Sequence, residues 1–263
     1  MHNAATGLRV MISDEDVRQS FQEKLRTPGV FGSFGSLEIY RGRPASRWKD
    51  AHPGGCERHL AVFDRHRIIP KYCFDCYKIL IEPRTVMELF KLLMIFEKCA
   101  LPCDNSRKCM CEARADCAGA YKGFIYTRGM EEGKEVRNIV REVISEGISP
   151  KVRITLKRGC SEYARVYPGY ARIKLGAALM QYNDDWQVHE DSFDANAGFG
   201  AVDVSREQDG NQTAYSPEEL FAMRYWLRYA ATIGDASYLK IAGVTLPSLP
   251  RLRRPPFAAP RPI

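Results

Sequence analysis

No apolar run in this sequence is long enough to cross a membrane. The longest, Leu92-Leu93-Met94-Ile95-Phe96, has five residues, against the roughly 18 or more that a span requires. Met1 to Gly7 lack the basic segment and apolar stretch of a secretory leader. The expectation is a cytoplasmic protein with no membrane partner. A strong charge bias is lacking too: 39 Lys and Arg stand against 32 Asp and Glu, a net +7. That balance permits a polyanionic partner without requiring one. No internal repeat is present, and no glycine run of the kind that cradles phosphate.

The 263 residues are 45% hydrophobic, enough to bury a core, so global disorder is excluded. Nine cysteines without a leader point to free thiols, a metal site or redox chemistry, not to a disulfide framework.

The centre of the chain has the clearest pattern. Tyr72 to Ile81 is aromatic and β-branched and stops before Pro83, as a strand does. Thr85 and Glu88 have capping-box spacing and open an apolar helix to about Cys99. Lys108 to Arg114 and Ala120 to Arg128 follow as two strands of a hairpin. Val136, Ile139, Val140, Val143 and Ile144 then form one stripe of a second helix, and Val152, Ile154 and Leu156 alternate along a last strand. Strand, helix, strand, strand, helix, strand is the split-βαβ order. The expectation is an α+β fold with a ferredoxin-like βαββαβ core over 71–160. An irregular N-terminal region, 1–70, precedes it, with a short helix after Ser13 and then loops with one strand over Ser36 to Tyr40. A C-terminal extension, 161–246, follows, with an acidic loop from Asn183 to Asn211 and one long helix after Ser216-Pro217-Glu218-Glu219. The Pro/Arg-rich segment 247–263 reads as a flexible tail.

Several constellations can carry chemistry. Cys56-x2-His59 and Cys73-x2-Cys76 are two chelating pairs, and zinc favours four thiolate and imidazole ligands. Against this, neighbouring positions of a strand point to opposite faces, which would separate Cys73 from Cys76. A second set draws Cys160 to Cys73 and Cys76. Cys99, Cys103, Cys109, Cys111 and Cys117 match neither ferredoxin spacing for an iron–sulfur cluster.

On the third strand of the core, Lys122, Phe124 and Tyr126 share one face with Arg128 beyond, and Phe74 or Tyr77 can join from the first strand. With Lys157 and Arg158, these residues fit a single-stranded nucleic acid such as RNA, with rings to stack on bases and cations for phosphates. An enzyme acting on a phosphate-bearing substrate is the alternative. It would work through Asp75 and Asp116 with a divalent metal, or through a Cys160 thiol activated by Lys157 and Arg158. A third reading is an assembly module, with a protein partner for the Pro/Arg tail. The sequence leaves the oligomeric state open.

Overall fold

A computed structural model describes residues 12–25, 38–41, 55–112, 117–173, 179–197 and 215–246. In chain order the main elements are α1 (Asp14–Leu25), β1 (Glu38–Arg41), α2 (Gly55–His66), β2 (Cys76–Glu82), α3 (Val86–Lys98), β3 (Arg107–Cys111), β4 (Tyr121–Arg128), α4 (Met130–Gly147), β5 (Arg153–Arg158), α5 (Ser161–Val166), α6 (Gln187–Ala197) and α7 (Pro217–Ile233). The fold is mixed α+β, built on a five-stranded sheet in the order β1-β3-β4-β2-β5. Every neighbouring pair is antiparallel.

The residues that begin the helices explain where they start. Thr85 accepts a hydrogen bond from the Glu88 N–H at 3.2 Å. The Glu88 carboxylate accepts from the Arg84 N–H at 2.7 Å, so the box closes one residue before the cap. At α7 the box is complete, with Ser216 and Glu219 each accepting the other's backbone N–H. Gly234, at φ 85°, ends that helix in the left-handed region that favours glycine.

Helices α3, α4 and α7 lie on one side of the sheet. Tyr77, Ile79, Ile81, Cys109, Cys111, Tyr121 and Ile125 are buried there, against Leu89, Leu92, Phe96, Val136, Val140 and Trp226. A methyl added at Gly123 would run into Leu92, so β4 and α3 approach as closely as glycine allows. Tyr121 donates to Asp235 at 2.7 Å, and the same carboxylate oxygen accepts the Val86 N–H at 2.6 Å. That one acid joins a core strand, the first turn of α3 and the segment after α7.

A second, smaller core holds Phe63, Ile69, Cys73, Phe74, Tyr163 and Tyr170. Beside it, Arg58 is fully buried and donates to Glu190 at 2.9 Å and to Asp194 at 2.7 Å. Glu190 also accepts from the Lys71 N–H and the Tyr182 hydroxyl. A buried guanidinium with those partners is satisfied; with one removed it would not be.

Three sequence expectations need correction. Residues 71–75 form a 3-10 turn, and the strand begins only at Cys76. Residues 55–66 are a helix and not loop, because Gly55 stands at its start and breaks nothing. Residues 187–197 form α6 and not loop: Glu190 and Asp194, one turn apart, both reach Arg58. The strand expected over Ser36 to Tyr40 is present as β1 at Glu38–Arg41, and it pairs with β3 as a fifth strand of the sheet. The tail 247–263 lies outside the described residues, and within those residues no helix is long and apolar enough to cross a membrane.

Candidate functional site

The side of the sheet opposite the helices is built from the alternate residues of the same strands. Cross-strand register defines its rungs. Tyr126 faces Lys78, which faces Lys157; Lys108 faces Phe124, which faces Leu80, which faces Thr155. Phe124, Tyr126, Lys78 and Lys108 are half-buried, and Lys157 and Arg128 are exposed. Leu80 and Lys122 are more covered, at 4% and 8% exposure. No described helix packs along this side in the way that α3, α4 and α7 pack along the other.

The face is basic and its cations are organised around one ring. The ammonium groups of Lys78 and Lys108 stand 5.5 and 5.7 Å from the Phe124 centroid, within cation–π range. Lys108 also pairs with Glu38 at 2.8 Å, and Lys122 lies 3.7 Å from the buried Glu112 carboxylate. Among the described residues neither Lys78 nor Lys157 is in an ion pair. Loss of hydration beside the sheet lowers the pKa of Lys157; Lys78, Lys122 and Arg153 add repulsion, and Glu82 opposes them. Lys78 and Lys108 escaped the sequence reading; the period of two along each strand, which puts Lys78 on the side opposite Tyr77 and Ile79, was the signal that could have found them.

Other expected members of the face lie elsewhere. Arg158 is buried, donates to the carbonyls of Phe74 and Met180, and stacks over Phe74 and Tyr170. Its guanidinium is held in the smaller core and not on the open side of the sheet. Phe74 belongs to that core as well, and Tyr77 faces the helices. Neither ring joins Phe124.

At the start of β2 the face meets a cavity lined by Cys56, His59, Tyr72, Cys73, Cys76, Gly159, Cys160 and Tyr163. Its closure follows from local geometry. The 3-10 turn directs the Cys76 N–H to the Cys73 carbonyl, so the two cysteines are not strand neighbours. After β5 the Gly159 N–H donates to the Cys76 carbonyl at 2.8 Å, which brings Cys160 alongside. Gly159 has φ 38°, and a methyl there would run into the Tyr170 ring. Tyr170 in turn donates to the Cys73 carbonyl at 2.7 Å, and the Cys73 sulfur lies 3.4 Å from the Tyr163 hydroxyl. His59 stacks on Tyr72, ring centroids 5.4 Å apart. The space is about 10 Å³ for the centre of a water-sized sphere, room for one ion or water and far too small for a substrate.

The thiols there are held protonated. Burial first, then the neighbouring Cys160 and Cys56, push Cys76 up to about 12, against the pull of Lys78. Burial likewise pushes Cys160 up to about 11. Cys73 lies well above its ordinary value, also through burial, with Cys76, Cys160 and Cys56 adding to it. Cys56 begins α2 on an exposed turn, yet burial of its thiol raises it too, against Lys108 and Lys78. The expected activation of Cys160 is corrected in both respects: Lys78 and Lys108 are the cations it feels, and burial outweighs them. A neutral thiol is a poor nucleophile.

As placed, no three His, Cys, Asp or Glu side chains among the described residues stand at metal-ligand positions. Asp75 is exposed at the end of the 3-10 turn, and Asp116 lies outside the described residues. No family model matches this chain, and no curated protein or solved structure does either.

Proposed function

We propose that this chain binds single-stranded nucleic acid, RNA being the first candidate, across the sheet face of Lys78, Lys108, Phe124, Tyr126 and Lys157. The carrying observation is the register that sets Lys78 directly opposite Lys157, beside Tyr126. Like charges directly opposite on adjacent strands are destabilising. An anion between them turns that cost into attraction, and a half-exposed tyrosine next to it offers a base a stacking surface. Phe124 adds a second ring with two ammonium groups already placed near its face.

The architecture supports the same reading. Without the edge strand β1, the remaining order is β5-β2-β4-β3. That is the fourth, first, third and second strand of a βαββαβ unit, which fits a ferredoxin-like core with both crossover helices on one side. Such a core leaves its other side to a ligand. Topology alone does not choose the ligand; the lysine and aromatic composition of the face is what favours nucleic acid in this reading.

Affinity for short RNA and DNA oligonucleotides, measured across a salt series together with the melting temperature, tests the reading. Binding should weaken as salt rises, because lysine contacts release counterions. Tyr126→Ala should cost about 1–3 kcal/mol of binding if the ring stacks on a base. If wild type binds no oligonucleotide at low salt, the reading is wrong.

A further inference from the structure

The four cysteines of the cavity come from three separate places: the first turn of α2, the turn into β2 and the exit of β5. We propose that Cys56, Cys73, Cys76 and Cys160 form a tetrathiolate site for one zinc ion, with His59 packed beside the ligands and not among them. The inference is independent of nucleic-acid binding and stands or falls separately.

Chance burial of small apolar side chains would scatter cysteines through a core, as it does Cys109 and Cys111, which line the main core under the helices. The cavity instead gathers its cysteines around a space the size of one ion. All four cysteine side chains line that one space, and four thiolates around a single ion are a shell that zinc takes in structural sites. The sulfurs do not stand at ligand positions as placed, so holding the ion would require them to turn inward from the cavity wall. His59 stacks on Tyr72 and lines the cavity beside the four cysteines, whose sulfurs alone suffice for a tetrahedral set, while the Gly159 turn carries Cys160 to the start of β2.

Charge fits as well. Zinc with four thiolates carries a net charge of about −2. Lys78, two residues along β2 from Cys76 and on the same side of the strand, places a cation nearby. The ion would tie α2 and the segment after β5 to the end of the sheet, joining parts of the chain that otherwise meet only through the smaller core.

The full chain, purified without chelator, should carry about one equivalent of zinc. Cobalt substituted for it should show the sulfur-to-metal charge-transfer absorption of four thiolates. Cys160→Ser should lose the stoichiometric metal, or leave cobalt with a smaller charge-transfer band. His59→Gln should keep both the metal and the full band, and Cys109→Ser, remote from the cavity, should do the same. If Cys160→Ser fails to fold, Cys56→Ser at the exposed start of α2 gives the same reading. Zinc-free wild type with no thermal shift on added zinc would overturn the site. Metal kept by Cys160→Ser with an undiminished band, or lost by His59→Gln, would overturn the ligand assignment.

Discussion

The two sides of this sheet are made from the same strands and answer to different constraints. On the helix side, Ile79, Ile81, Cys109 and Tyr121 are completely or almost completely buried, and even Gly123 is fixed by the approach of Leu92. One residue along, Lys78, Lys108, Phe124, Tyr126 and Lys157 are half-buried or exposed, and among the described residues Lys78 and Lys157 are in no ion pair. Burying one large apolar side chain contributes about 1.5–3 kcal/mol, whereas an exposed ion pair contributes at most about 1 kcal/mol. Stability therefore resides on the helix side. The other side can hold a repelling lysine pair at small cost, and its composition is free to follow a ligand.

That asymmetry breaks most visibly under substitutions on the helix side. Val140 is 3% exposed and faces the core from α4. Val140→Asp places an unpaired charge there, a loss of several kcal/mol that should unfold a marginal domain. A retained melting temperature would show that α4 does not pack as described. Gly123→Ala tests the close approach of β4 to α3. Leu92 is a flexible side chain and can yield in part, so the expected loss is about 1–3 kcal/mol of stability in denaturant titration. The same change should leave oligonucleotide affinity alone in the molecules that remain folded.

Local pattern explains why much of the helix side was readable from the chain. The stripe of Val136, Val140 and Ile144 and the Thr85 and Ser216 caps are signals within a few residues, and each produced the element expected. The misses share a different cause. Arg58 is buried because Glu190 and Asp194 meet it from 132 and 136 residues away. No window around Gly55–His66 or Gln187–Ala197 contains that information, so two helices were read as loop. The thiol cavity was half legible. Cys56, His59, Cys73 and Cys76 announce themselves by spacing, but reading 71–75 as strand set Cys73 against Cys76, and only the 3-10 turn removes the conflict. Cys160 arrives through the backbone bond from Gly159 to Cys76, a tertiary contact without a local mark. The charged side was missed where it mattered most, since Lys78 sits in a strand dominated by Tyr77, Ile79, Leu80 and Ile81.

The smallest expected effect is also the most discriminating, because its two parts have opposite sign. Lys157 faces Lys78 across the β2–β5 ladder and is exposed, so Lys157→Gln removes a repulsion without opening a cavity. If the face has no anionic ligand, that substitution should help on balance, because lost hydration and the cations Lys78, Lys122 and Arg153 outweigh the attraction of Glu82: cross-strand pairs are worth about 0.2–1 kcal/mol, and the melting temperature should rise by at most that small amount. If the face binds nucleic acid, the stabilised variant should nevertheless bind more weakly at every sequence tested. Its slope of log affinity against log salt should be shallower by about 1, the signature of one lost phosphate contact. Glu82 limits the gain, since it attracts Lys157 from the same face. The rise in stability should shrink further at high salt as the repulsion is screened. A variant that is more stable and binds as well as wild type, with an unchanged salt slope, would take Lys157 out of the interface. A variant that is less stable and binds less would mean that Lys157 supports the sheet and not the ligand. Only the combination of greater stability with weaker, less salt-sensitive binding matches a lysine pair kept apart from its optimum by the need to hold a phosphate.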